Sequence, residues 1–171
     1  TNDSVKNVAP AATTSHPVLP ATSNVGRTAP KLASVEHGGP GKTSAAASKS
    51  DLQHYEAALA SYHKGKYAEA ERAFSGFMKQ YPQSSLVPNA LYWLGECLYS
   101  TGKYDAAIIA FKDVAGKYPG HDKAAAALLK AGYSYSELKD QENARFYWQI
   151  LIDDFPGSAP ANLARERLAG L

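Results

Sequence analysis

Leu91, Leu94, Gly95 and Leu98 return at intervals of three and four residues, the spacing that gathers apolar and small side chains on one helix face. Gly102 follows, and glycine ends a helix by taking the left-handed conformation without a Cβ penalty. The pattern then resumes with Ala107, Ile108, Phe111 and Val114, which predicts a second helix from about Tyr104 to Lys117. Tyr118-Pro119 stops it, because proline pushes the residue before it out of the α region. Two helices joined by a glycine turn are therefore the unit of the pattern.

The unit recurs. Gly65-Lys66-Tyr67-Ala68-Glu69-Ala70 returns 37 residues later as Gly102-Lys103-Tyr104-Asp105-Ala106-Ala107. Tyr81-Pro82, Tyr118-Pro119 and Phe155-Pro156 keep the same interval. So do Ala58, Gly95 and Gly132, then Ala70, Ala107 and Ala144, and then Phe74, Phe111 and Trp148. The small columns let the two helices of a hairpin approach, and the aromatic column fills the space beyond them. One hairpin cannot bury its own apolar face, so the units must stack. The expected units span residues 51–84, 88–121 and 125–158, followed by a capping helix at 160–169. In that helix Leu163 and Leu168 are expected to face inward, with Arg165, Glu166 and Arg167 facing out.

Composition divides the chain. Residues 1–50 hold no Phe, Trp or Tyr, while all eleven Tyr, five Phe and two Trp lie beyond them. A segment rich in Ala, Ser, Thr and Pro cannot bury enough apolar surface to offset its ordering entropy, so residues 1–50 are expected to form a disordered linker. The net charge of +2 is concentrated there, in five basic and two acidic residues, which leaves 51–171 close to neutral. A domain without a clustered basic face is a poor fit to nucleic acid, and no apolar run is long enough to span a membrane. Cys97 is the single cysteine, falls on an apolar helix face and reads as a small buried hydrophobe.

No catalytic constellation is legible. His54 and His63 stand nine residues apart on one helix, which is not metal-ligand spacing, and no glycine-rich phosphate loop follows a strand. The expectation is a non-enzyme with neither cofactor nor metal.

Leu91-x2-Leu94-Gly95-x2-Leu98, Ala107-x3-Phe111 and Pro119 together resemble the tetratricopeptide repeat. The third unit repeats this as Leu128-x2-Ala131-Gly132-x2-Tyr135, Ala144-x3-Trp148 and Pro156. The resemblance implies an all-α, right-handed superhelix of three helix hairpins plus a C-terminal capping helix, behind the disordered tail. The string Pro88-Asn89-Ala90-Leu91-Tyr92-Trp93-Leu94-Gly95-Glu96, the Tyr-Pro repeats and the final Ala164-Arg165-x-Arg167-Leu168 are similar to the C-terminal domain of the YbgF/CpoB family. These are the Tol-Pal-associated cell-division coordinators of bacterial envelopes. That resemblance implies a periplasmic location and contact with TolA or another envelope protein. It also implies an oligomerising N-terminal coiled coil ahead of a monomeric fragment that opens at Thr1. The outer-membrane assembly lipoproteins of the BamD type share much of the pattern, and a cytoplasmic adaptor or a passive spacer are further readings.

In stacked hairpins the first helix of each unit lines the concave face. Its candidate groove positions are Tyr55, Leu59 and Tyr62 in the first unit, Asn89, Tyr92, Trp93, Glu96 and Tyr99 in the second, and Leu129, Lys130 and Tyr133 in the third. Tyrosines give large contact area with polar tips and are enriched at binding hot spots. Asn89 is expected to hydrogen-bond a partner backbone, and Glu96 to favour a partner carrying Lys or Arg. Of the positions that form a carboxylate clamp in some related domains, only Lys130 has a suitable side chain.

Overall fold

The computed structural model describes residues 46–170. Within them the chain forms seven helices in succession: α1 (Lys49–His63), α2 (Tyr67–Gln80), α3 (Val87–Ser100), α4 (Tyr104–Lys117), α5 (Lys123–Glu137), α6 (Gln141–Asp154) and α7 (Ala159–Ala169). The expected disorder of residues 1–50 falls, as far as residue 45, outside the described residues. Lys49 and Ser50 belong to the first turn of α1, because the Ser48 side chain caps the helix by accepting from the Asp51 amide.

Each hairpin closes by the same device. The residues before proline, Tyr81, Tyr118 and Phe155, leave the helical region with φ of −125°, −134° and −130°. At the tip of each hairpin one residue is left-handed: Gly65 at φ 72°, Gly102 at φ 74° and Lys139 at φ 64°. The amide after each of them returns to a carbonyl of the preceding helix, on Ser61, Leu98 and Tyr135 respectively. The third tip replaces Gly-Lys-Tyr by Lys-Asp-Gln. It thereby loses the glycine and gains a cap, since the Asp140 carboxylate accepts from the Asn143 amide at 3.1 Å.

The helix pairs pack through one small residue against one ring. A Cβ placed on Gly95 would lie 2.6 Å from Phe111, and one on Gly132 would lie 2.1 Å from Trp148 Nε1. Ala58 and Phe74, in the matching columns of the first hairpin, are fully buried. Trp148 is also tethered, because its indole N–H donates to the Leu129 carbonyl at 3.2 Å.

The core is serial rather than single. Each of three clusters joins a hairpin to the first helix of the next: Ala58, Phe74 and Phe77 with Ala90 and Cys97; Phe111 and Val114 with Ala127 and Ala131; Trp148 and Leu151 with Ala161 and Ala164. Burial pushes the Cys97 thiol up to about 12. Helix α7 takes the place of a fourth first helix, with Ala164 in register with the fully buried Ala90 and Ala127. This register corrects the expectation for Leu163. It stands 46% exposed, and α7 buries Ala161 and Ala164 and half-buries Leu168 instead.

Lys139 carries the left-handed strain that glycine avoids at the other two tips. Lys139→Gly should therefore raise stability by about 0.5–1 kcal/mol in urea unfolding followed by circular dichroism. A loss of stability would show that the lysine side chain contributes more than its backbone costs.

Candidate functional site

Helix α1 touches α3, α3 touches α5 and α5 touches α7, whereas the backbones of α2, α4 and α6 stay apart and are reached only by side chains, such as Lys112 of α4 over Tyr147 of α6. The first helices thus form the inner layer of the stack and the second helices splay outside it. The candidate groove is the inner face of α1, α3, α5 and α7.

Its N-terminal half is a run of rings. Tyr62 lies 4.8 Å from Trp93 between ring centres, and Trp93 lies 5.7 Å from Tyr92. His63 and Tyr67 flank Trp93 and Tyr62 respectively. Both Tyr92 and Trp93 are half-buried, so each ring serves the stack on one side and leaves the other open. Lys123, which the sequence reading passed over, reaches from α5 to within 5.0 Å of the Tyr92 ring centre and 5.7 Å of that of Trp93.

The C-terminal half is a cleft of about 460 Å³ lined by Tyr99, Lys130, Tyr133, Glu137, Glu166 and Arg167, among others. Three of these were candidates from the sequence; Glu137, Glu166 and Arg167 were not. Lys130 Nζ sits 4.9 Å from the centre of the Tyr99 ring, and the Tyr99 hydroxyl donates to Glu137 Oε1 at 3.2 Å. Tyr133 packs edge-on against Trp148 and receives Arg167 at 5.3 Å over its ring.

Glu96 links the two halves, and it differs from its expected role. It is 7% exposed, and its Oε2 accepts from Lys130 Nζ at 2.8 Å. The charge expected to attract a basic partner is thus already matched from α5. Its Oε1 is buried without a hydrogen-bond partner among the described residues, so the ion pair with Lys130 is the main compensation for this carboxylate.

Three other expectations change. Tyr55 packs against Phe74 and Phe77 at 5.9 and 6.0 Å, so one side of this half-buried ring is committed to the core of the first hairpin. Leu129, in the same column one repeat after Tyr92, is 6% exposed. Both follow from one cause: this column leans on the ring of its own hairpin, as Tyr92 does on Phe111 at 5.7 Å. Asn89 lies 3.3 Å from His121 Nε2, so its amide is engaged at the junction of two hairpins. A second cleft, of about 470 Å³, opens nearby among Pro82, Pro88, Tyr118 and His121. Among the described residues no group of three His, Cys, Asp or Glu side chains is placed to hold a metal ion, and no helix is long and apolar enough to cross a membrane.

Two models of the tetratricopeptide repeat match the chain, over residues 55–122 and 126–158. This is a tetratricopeptide-repeat domain. The fold is shared with solved structures at low identity. The type III secretion chaperone SycD of Yersinia enterocolitica, in complex with a peptide of the translocator YopD, is 18% identical. That match has a TM-score of 0.61 and covers 72% of this chain and 90% of that one. PcrH in complex with the chaperone-binding region of PopB is 16% identical, with a TM-score of 0.60 over 72% and 95% of the two chains. The N-terminal domain of the C. elegans stress-induced protein STI-1 is 12% identical, with a TM-score of 0.58 over 75% and 98%. A comparison with curated protein sequences finds no match.

Two rings of the tetratricopeptide groove, Tyr92 and Tyr99, should titrate late. Burial, and then the Glu137 carboxylate, push the Tyr99 phenol up from 10.0 to about 12, while burial and Glu96 raise Tyr92 further. A raised phenol favours the folded state while it stays protonated. Its contribution is therefore complete below about pH 10 and is lost as pH rises through about 12. In a spectrophotometric tyrosine titration, Tyr92→Phe with Tyr99→Phe should remove part of the highest-pH phase. An unchanged high-pH phase would mean that these two rings ionise like exposed ones.

Proposed function

We propose that this domain holds an extended or helical segment of a partner protein along the inner face of its first helices. The observation that carries this reading is the strip that runs without a break from Tyr62 through Trp93 and Tyr92, over Glu96 and Lys130, to Tyr99. Tyr133 extends it within the C-terminal cleft. It spans three successive hairpins, so a bound segment would touch all of them. Aromatic side chains supply contact area at low entropy cost, which suits a surface that must grip a mobile chain. The partner-bound PcrH and SycD structures support a segment as the ligand.

The proposal extends further by the resemblance of Pro88–Glu96 and the Tyr-Pro repeats to the YbgF/CpoB family. On that basis the partner belongs to the Tol-Pal system of the periplasm, with TolA the first candidate. The work of the domain is then to coordinate outer-membrane constriction with cell-wall synthesis during division.

Truncating a hot spot costs about 2 kcal/mol or more, roughly thirtyfold in affinity. Titration of the purified chain with segments of TolA should show binding that Tyr92→Ala with Tyr99→Ala abolishes while helical circular dichroism survives. Lys112→Ala, on the outer side of α4 against Tyr147, should bind as the parent does. Equal affinity of the parent and the folded double variant would place the site elsewhere.

A further inference from the structure

The cations of the inner face follow a rule. Each is laid over an aromatic ring of the preceding first helix: Lys123 over Tyr92 and Trp93, Lys130 over Tyr99, Arg167 over Tyr133. Tyr92 and Tyr99 are two helical turns apart, as are Lys123 and Lys130, so the pairing is built into the stacking of α3 on α5. A ring face attracts an ammonium group but accepts no strong hydrogen bond from it. The N–H donors of such a cation stay available.

The three cations differ in what else they meet. Lys130 is neutralised by Glu96. Arg167 shares its cleft with Glu137 and Glu166. Among the described residues Lys123 makes no ion pair, and Asp122, exposed just before it, does not bind it. The rings nearest Lys123 are Tyr92 and Trp93, and the carboxylate beside Tyr92, that of Glu96, is already held by Lys130. The N-terminal half of the groove therefore offers, among the described residues, a positive charge without an ion pair on an aromatic floor.

We propose that this end of the groove selects an acidic partner segment. An Asp or Glu side chain is taken by Lys123, while an apolar or aromatic neighbour lies on Tyr62 and Trp93. This specificity rests on the groove reading above and reverses the preference for Lys or Arg expected from Glu96.

The test is a selection of random peptides of about 12 residues, displayed on phage, against the immobilised full chain. The selected peptides are then synthesised, labelled and titrated by fluorescence anisotropy. Groove-bound peptides should be rich in Asp and Glu, and should be lost with Tyr92→Ala/Tyr99→Ala. Lys123→Glu should weaken them by roughly tenfold or more through like-charge contact. Lys123→Gln, which only removes the charge, should fall between the two and serves where Lys123→Glu does not fold. Lys79→Glu, an equal charge change on α2, should alter affinity by no more than about twofold, as long-range effects are screened. Groove-dependent peptides that are neutral or basic, or indifferent to Lys123, would overturn the acidic specificity and leave the groove standing. Peptides indifferent to Tyr92 and Tyr99, or no peptides at all, would overturn the groove reading itself. Self-association abolished by Lys123→Glu, with no peptide selected, would assign the face to a second copy and overturn the partner proposal.

Discussion

The close approach of a small residue to an aromatic ring within each hairpin governs the rest of this structure. Gly95 against Phe111 and Gly132 against Trp148 leave no room for a Cβ, and the first hairpin places Ala58 and Phe74 in the same columns. These contacts fix how near the two helices come, and hence where the first helix points its inner face. The groove column leans on the same rings. Tyr55 packs on Phe74, Tyr92 packs on Phe111, and Leu129 accepts through its carbonyl from Trp148. A contact that stabilises the hairpin therefore also positions the surface offered to a partner.

The seams between hairpins are the second element. Each core cluster borrows alanines from the next first helix, which keeps the units close without large side chains between them. Polar contacts cross the same seams: Lys130 to Glu96 on the inside, and Lys103 to both oxygens of Glu71 near a hairpin tip. The first is largely buried and so is costly to break, whereas the second is exposed on its lysine side and contributes little. A segment lying along the inner face would cross every seam, so binding and stacking are thermodynamically linked.

Much of the fold was legible because its determinants are local. Tyr-Pro at the end of each unit, glycine at two of the three hairpin tips, and the alternation of small and aromatic columns each act within a few residues or one hairpin. The site was only partly legible because its contacts run between hairpins. Nothing near Glu96 announces that Lys130, on the next first helix, will neutralise it. Nothing near Lys123 shows that it will come to rest on Tyr92 and Trp93. Leu129 lies deeper than its periodicity implies, because helical periodicity names a face but not the depth of the ring that lies beneath it. Leu163 stands exposed because α7 continues the columns of the first helices through Ala161 and Ala164.

The central claim is that ring size and the missing Cβ are one interaction, and a double-mutant cycle tests it. Gly132→Ala should cost about 1–3 kcal/mol in the parent, as overpacking does, when unfolding is measured in urea. Trp148→Phe together with Gly132→Ala recreates the Ala–Phe pairing of the first hairpin, so in the Trp148→Phe background Gly132→Ala should cost less by about 1 kcal/mol or more. An equal cost in the two backgrounds would contradict the account.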